Sequence, residues 1–329
     1  MKQKASAASA TVLSAHGLPP AAGPHQLVVV LTWELRRLVA SRPSWIIAGV
    51  TYAVFAALML LLWGHDNPYM LSTPHGVVAV HDPATSVWGL IVTYPQSPGM
   101  FFGLLLPFVA ADGVARDLRR RTHELLMSTS VSSWAYVLGR YLAGLVFSLV
   151  LACAMLVALV AVTALLHVAN AAVFPPVVLS SALAFWALVV LPPVLLLGGL
   201  SFALGALLPR RANLVKLGVL LAWFACGASL WYLLNPDYRN PHAQASAYVV
   251  WDPTSIAPTF PLQQQFKYRL LTAAQTMDSH ALRHFGRALQ QSMPDLSSWI
   301  GPHLVWAAVG LGFAVGAALV FRRFRGALG

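Results

Sequence analysis

Long apolar runs separated by short polar segments dominate the sequence from residue 45 onward. Six runs, 45–63, 87–111, 141–167, 177–208, 214–234 and 299–321, are almost free of charge. A helix that crosses a bilayer needs about 20 mostly apolar residues, and only a structure that satisfies its own backbone polar groups is stable in lipid. The pattern therefore predicts an all-α membrane protein with six transmembrane helices. Pro192-Pro193 and Gly198-Gly199 fall inside the fourth run and are expected to kink or break it near mid-membrane, because proline removes a helical donor.

Two other segments carry helical periodicity. Between residues 26 and 43, apolar Leu27, Val28, Leu31, Leu35, Leu38 and Val39 form one stripe, interleaved with Trp33, Glu34, Arg36 and Arg37. Such a segment can lie in the membrane interface with its basic groups toward lipid phosphates, or stand as a solvated pre-membrane helix. Residues 260–293, bounded by Pro261 and Pro294, can form two short amphipathic helices that lie on the outer membrane surface, cap a pathway, or belong to an ordinary extracytoplasmic loop. The first 25 residues are rich in Ala, Ser and Pro and lack the continuous apolar stretch of a signal peptide, which reads as a disordered cytoplasmic tail.

Charge fixes the expected orientation, because short loops rich in Lys and Arg stay on the cytoplasmic side. Basic residues gather before the first run, between the second and third (Arg116, Arg119, Arg120, Arg121 and Arg140), between the fourth and fifth (Arg210, Arg211, Lys216), and after the last. The segments 64–86 and 168–176 contain none. Sixteen basic and four acidic residues fall on the side of the amino terminus, against five and six on the other, so the whole net charge of +11 lies on one side. Both termini are expected in the cytoplasm, and the long segment 235–298 outside, in a protein of the inner (plasma) membrane of bacterial type.

Composition excludes several alternatives. The chain is 58% hydrophobic and 9% charged, with a mean hydropathy of +0.69, far from the roughly 25% charged residues of a soluble domain. Its basic residues form no aromatic-interleaved patch, so nucleic acid is not an expected partner. Cys153 and Cys226 both lie in apolar runs, as packing residues do, and provide no thiolate metal site. None of the four lysines is followed by Ser or Thr, so there is no G-x-x-x-x-G-K-[ST] phosphate loop, and Met127 stands where H-E-x-x-H would need its second histidine. The first external loop carries His65, Asp66, His75, His81 and Asp82, but their spacing matches no metal-ligand set. No catalytic, cofactor or metal residue is assigned. Gly312-x-x-x-Gly316 and Ser201-x-x-x-Gly205 read as bundle-packing pairs, with a dimer interface as the alternative. Trp45, Trp63, Trp88 and Trp299, near the ends of runs, read as interfacial anchors.

The segment 112–140 is the most informative. It leaves the second run through Asp112, passes a basic cluster that includes Arg119 and Arg120, and continues as T-H-E-L-L-M before a small polar turn and L-G-R-Y. A short polar helix with a Leu125-Leu126-Met127 face, held between two spans, has a shape suited to docking into a soluble partner; a basic loop that only anchors topology is the plain alternative.

This order of residues resembles the first cytoplasmic loop of type-2 ATP-binding-cassette exporter permeases. Thr122, Glu124, Leu125, Leu126, Gly139 and Arg140 match that pattern, while Arg121 and Ser130 stand where the family often has Gly and Pro. The resemblance implies that a coupling helix near 119–130 contacts a nucleotide-binding subunit, with Asp112 and Arg140 at the loop's edges. It also implies that 26–43 is an interfacial elbow helix bearing Trp33, Glu34, Arg36 and Arg37, ahead of a six-helix domain over 44–329. By that likeness the partners are a cytoplasmic ATPase subunit, which would bind the ATP and Mg, a second permease chain, identical or similar, and the lipid bilayer. The cargo expected for such an apolar bundle is hydrophobic or amphipathic. The other reading from the sequence is a polytopic membrane enzyme or assembly factor acting through its extracytoplasmic loops.

Overall fold

A computed structural model describes residues 24–63, 68–74, 76–81, 85–93, 105–110, 131–234 and 247–327. Among these residues the chain is mostly helical, and five helices contain stretches long and apolar enough to cross a membrane: Arg42–Leu61, Ser133–Ala169, Leu179–Leu207, Pro209–Ser229 and Ser297–Phe321. These define the class, a multi-pass helical membrane protein. Of the second expected span, only a short helix Val87–Thr93 and the helical residues 105–110 are described.

We label the helices α1 (Pro24–Ala40), α2 (Arg42–Trp63), α3 (Val87–Thr93), α4 (Ser133–Ala169), α5 (Leu179–Leu207), α6 (Ala212–Leu234), α7 (Thr259–Thr276), α8 (Ser279–Gln291) and α9 (Ser297–Ala327). Within the spans, several hydroxyl side chains are satisfied by their own helices. Thr51 donates to the Ile47 carbonyl, Ser148 to Gly144 and Thr163 to Leu159, so none needs a partner from lipid. Leu217 and Leu221 on α6 and Leu304 and Leu319 on α9 are exposed, giving these helices apolar outer faces.

The fourth run does not break at its two prolines. A π-helical turn, Trp186–Val190, immediately precedes the α-helical stretch Leu191–Leu207 that opens with Pro192-Pro193. The wider turn absorbs the two missing donors, and the helix continues as one element. Trp186 fixes this turn by donating from Nε1 to the Ala152 carbonyl of α4, at 3.0 Å.

The small-residue contact between spans also differs from the expected one. A Cβ at Gly199 would lie 1.9 Å from the Gly310 carbonyl oxygen, and one at Gly310 would lie 2.4 Å from the Leu195 carbonyl oxygen. Gly199 and Gly310 thus form the backbone-to-backbone crossing of α5 and α9. A Cβ at Gly312 or Gly316 would meet nothing within 4 Å among the described residues.

One end of the bundle, opposite α1, carries a small folded cap. Strands β1 (Tyr69–Thr73) and β2 (Gly76–Val80) pair antiparallel in a hairpin, with Leu71 opposite Val78. Gly76 turns the chain at φ +121°, a conformation that favours glycine. Leu71, Val78 and Val80 are buried with Trp88 of α3, Leu262, Phe266 and Leu270 of α7, and Leu282 and Leu289 of α8. Apolar residues of α7 and α8 are therefore packed inside the cap, while Tyr268 and Leu271 of α7 stay exposed. Trp88 is 2% exposed and stacks at 5.5 Å on Phe266, and Trp299 is 3% exposed; neither is an interfacial anchor. Trp45 is exposed, while Trp63 lies where no side chain is described.

A second, smaller core sits at the α1 end. Tyr136, Val137 and Tyr141 of α4 meet Phe202 and Ala206 of α5 and Ala314 and Ala318 of α9, and the Tyr141 and Phe202 rings lie 5.2 Å apart.

Candidate functional site

The 37 residues of α4 extend about 55 Å at 1.5 Å per residue, well beyond the ~30 Å hydrocarbon core of a bilayer. Part of α4 thus projects past an apolar layer of that depth, and α1 packs along its first turns. Three contacts make the junction. The Gln26 side-chain carbonyl accepts a hydrogen bond from the Ser132 amide at 3.0 Å, capping the start of α4 in place of a local side chain. Val30 fills the space left by Gly139, where a Cβ would come within 2.7 Å of its Cγ1. Glu34 pairs with Arg140. The contacts advance in the same direction along both helices, so α1 follows the opening turns of α4.

The ion pair is enclosed. Glu34 is 2% and Arg140 is 4% exposed. The Arg140 guanidinium lies 5.4 Å from the ring centroids of both Trp33 and Tyr136, so two aromatic faces and a carboxylate surround it. A second cation, Arg37, reaches Glu34 at 2.8 Å and lies 5.9 Å from the Trp33 ring. One buried carboxylate thus holds two guanidiniums, one inside the contact and one at its rim. Taking such charges out of water is costly, and the cost is met only by close pairing of this kind.

Of the residues singled out in the sequence, Trp33, Glu34, Arg37 and Arg140 come together here. Arg36 points away and is exposed. Asp112, Arg119, Arg120, Thr122, Glu124, Leu125 and Leu126 lie outside the described residues. On α1, Glu34 is buried and Gln26 and Val30 are half-buried against α4; of the expected apolar stripe, Leu27, Leu31, Leu35 and Leu38 are half-buried and Val28 and Val39 are exposed. Gln26, Val30 and Tyr136 were not anticipated. A four-residue repeat leading to Glu34, and a glycine just before Arg140, are the signals that mark them.

At the cap end, a second polar cluster ties the loop before α7 to α9. Asp252 is fully buried and accepts hydrogen bonds from the Thr254 amide and hydroxyl and from the Ile256 and Ala257 amides, at 2.7–3.0 Å. Burial pushes its carboxyl above the ordinary aspartate range, and these donors pull it back only in part. Ser255, at φ 60°, lies 3.3 Å through Oγ from His303 Nε2, and Trp306 donates to the Trp251 carbonyl at 2.8 Å. A serine beside a histidine invites comparison with a hydrolytic pair. Yet Ser255 is 0% exposed, His303 Nδ1 has no hydrogen-bond partner among the described residues, and Asp252 is occupied by its own loop. The Ser255–His303 contact joins the buried loop to α9.

Comparison of the chain with models of known protein families and with characterised proteins finds no match.

Proposed function

We propose that this chain is the membrane subunit of an ATP-driven exporter, worked by a separate ATPase that docks on the segment 112–130. In this reading the α1 end faces the cytoplasm of a bacterial-type inner membrane, the cap faces outward, and two such chains form the pathway for a hydrophobic or amphipathic cargo. The observation that carries it is the enclosed Glu34–Arg140 pair. The segment 112–130 leads directly into Ser133, the first residue of α4, and α1 is clamped to the same turns. A push on that segment reaches α1 and α4 as one body and passes through the Tyr141–Phe202 contact to α5. A buried, oriented ion pair suits such a joint because it resists sliding, whereas an apolar contact of equal area tolerates it. The +12 balance of charge on this side supports the orientation, and the open Gly312–Gly316 face supports a second membrane chain.

The test is a docking variant in the purified complex. Glu124→Arg with Leu125→Asp should leave the membrane subunit folded and abolish transport-linked stimulation of ATP hydrolysis. Unchanged stimulation would remove the docking role.

A further inference from the structure

A cavity of about 380 Å³ opens in the cap between β2, the turn joining α4 to α5, and α8. One wall carries Arg283, Arg287 and Gln290 of α8, with His81 at the end of β2 facing them; the opposite wall is Ala171 and Pro175 of the turn. Arg283 and Arg287 stand four residues apart, on one face of the helix. Both are exposed, and neither has an ion pair among the described residues, where the acidic partners in salt bridges are Glu34 alone. Gln290 is 6% exposed and forms the floor. Among the described residues, no carboxylate lines the cavity.

We infer that this cavity binds a phosphate-bearing anion. Two guanidiniums, each with several donors in a fixed plane, together with the Gln290 amide, offer more donors than the two oxygens of a carboxylate can accept; a phosphate takes them from several sides. The volume falls within the range of small-molecule sites and exceeds what a bare phosphate fills, so the ligand extends along the apolar Ala171–Pro175 wall. That wall joins the ends of α4 and α5, two helices long and apolar enough to cross a membrane, which puts the arginines at headgroup level. The phosphate can belong to a lipid headgroup or to a soluble compound. The inference does not depend on an ATPase partner.

The test uses the purified full-length chain. Binding of inorganic phosphate is followed by titration calorimetry, and retention of lipid by native mass spectrometry after reconstitution in phosphatidylcholine with or without phosphatidylglycerol. Retained phosphatidylglycerol without phosphate binding identifies a headgroup site; phosphate binding alone identifies a soluble ligand; both show that the phosphate group suffices. In each case Arg283→Gln with Arg287→Gln weakens binding by roughly tenfold or more, as loss of charge-assisted hydrogen bonds requires. Ala172→Trp, which fills the cavity from the opposite wall and keeps both arginines, should block it as well. Binding of neither probe, or binding that both variants leave unchanged, overturns the inference.

Discussion

Glu34 of α1 and Arg140 of α4 face each other as an ion pair whose two side chains are each 3% exposed. Removing one partner strands the other's charge, which typically costs about 3–5 kcal/mol, whereas replacing both with apolar groups is often nearly neutral. Glu34→Leu or Arg140→Leu alone should therefore lower the thermal midpoint of the full chain in detergent sharply. The double replacement should recover most of the loss. Additive losses would mean that the two charges are not coupled.

At the neighbouring contact, Gly139→Leu drives a side chain into Val30 and should destabilise the junction by about 1–3 kcal/mol. Val30→Ala in the same chain opens the space and should restore part of that stability. Circular dichroism melts of the two variants decide the point. No recovery in the double variant would show that α1 does not follow α4 this closely.

Gly199 and Gly312 separate two kinds of glycine. Gly199→Ala places a methyl group on the Gly310 carbonyl, a backbone atom that cannot turn aside, so the folded yield in membranes should fall severely. Gly312→Ala meets open space in the isolated chain and should be tolerated there. Equal behaviour of the two would place the α5–α9 crossing elsewhere.

Asp252 makes the cap sensitive to pH. Burial raises its carboxyl above the unfolded value, so the protonated form is the one the folded state favours. Its contribution is fully present below the ordinary aspartate value of about 3.9 and is lost as pH rises through the raised one. The stability difference between the native chain and Asp252→Asn should thus move in favour of the native chain on acidification across that window. Measuring both melts from neutral to mildly acid pH checks the sign; a constant difference would mean that Asp252 titrates normally.

Much of the helical plan was legible because lipid-crossing helices must be long and uniformly apolar, and no short-range chemistry disguises that. Of the expected kink or break at Pro192-Pro193, the break does not occur, because a π-helical turn accommodates the missing donors and leaves no separate mark in the sequence. The hairpin at 69–80 escaped because its two apolar stretches, M-L-S-T then V-V-A-V, are too short to stand out beside the long runs. Trp88 and Trp299 were placed at the interface by position, whereas both are buried in the core of the cap, whose α7 and α8 lie far from Trp88 in the chain. Glu34 and Arg140 were each visible as charges beside apolar runs. Their pairing, across 106 residues of sequence, was not, because nothing local records it.

The central claim is that this bundle is driven by a partner ATPase, and the most direct measurement is the composition of the complex. The full chain, affinity-tagged and purified in mild detergent from its native membranes, should retain a soluble subunit whose sequence contains G-x-x-x-x-G-K-[ST], in equal numbers with the membrane chain. Its ATP hydrolysis should fall when Glu34→Leu or Arg140→Leu loosens the joint. A membrane chain recovered intact with no nucleotide-binding subunit would contradict the account.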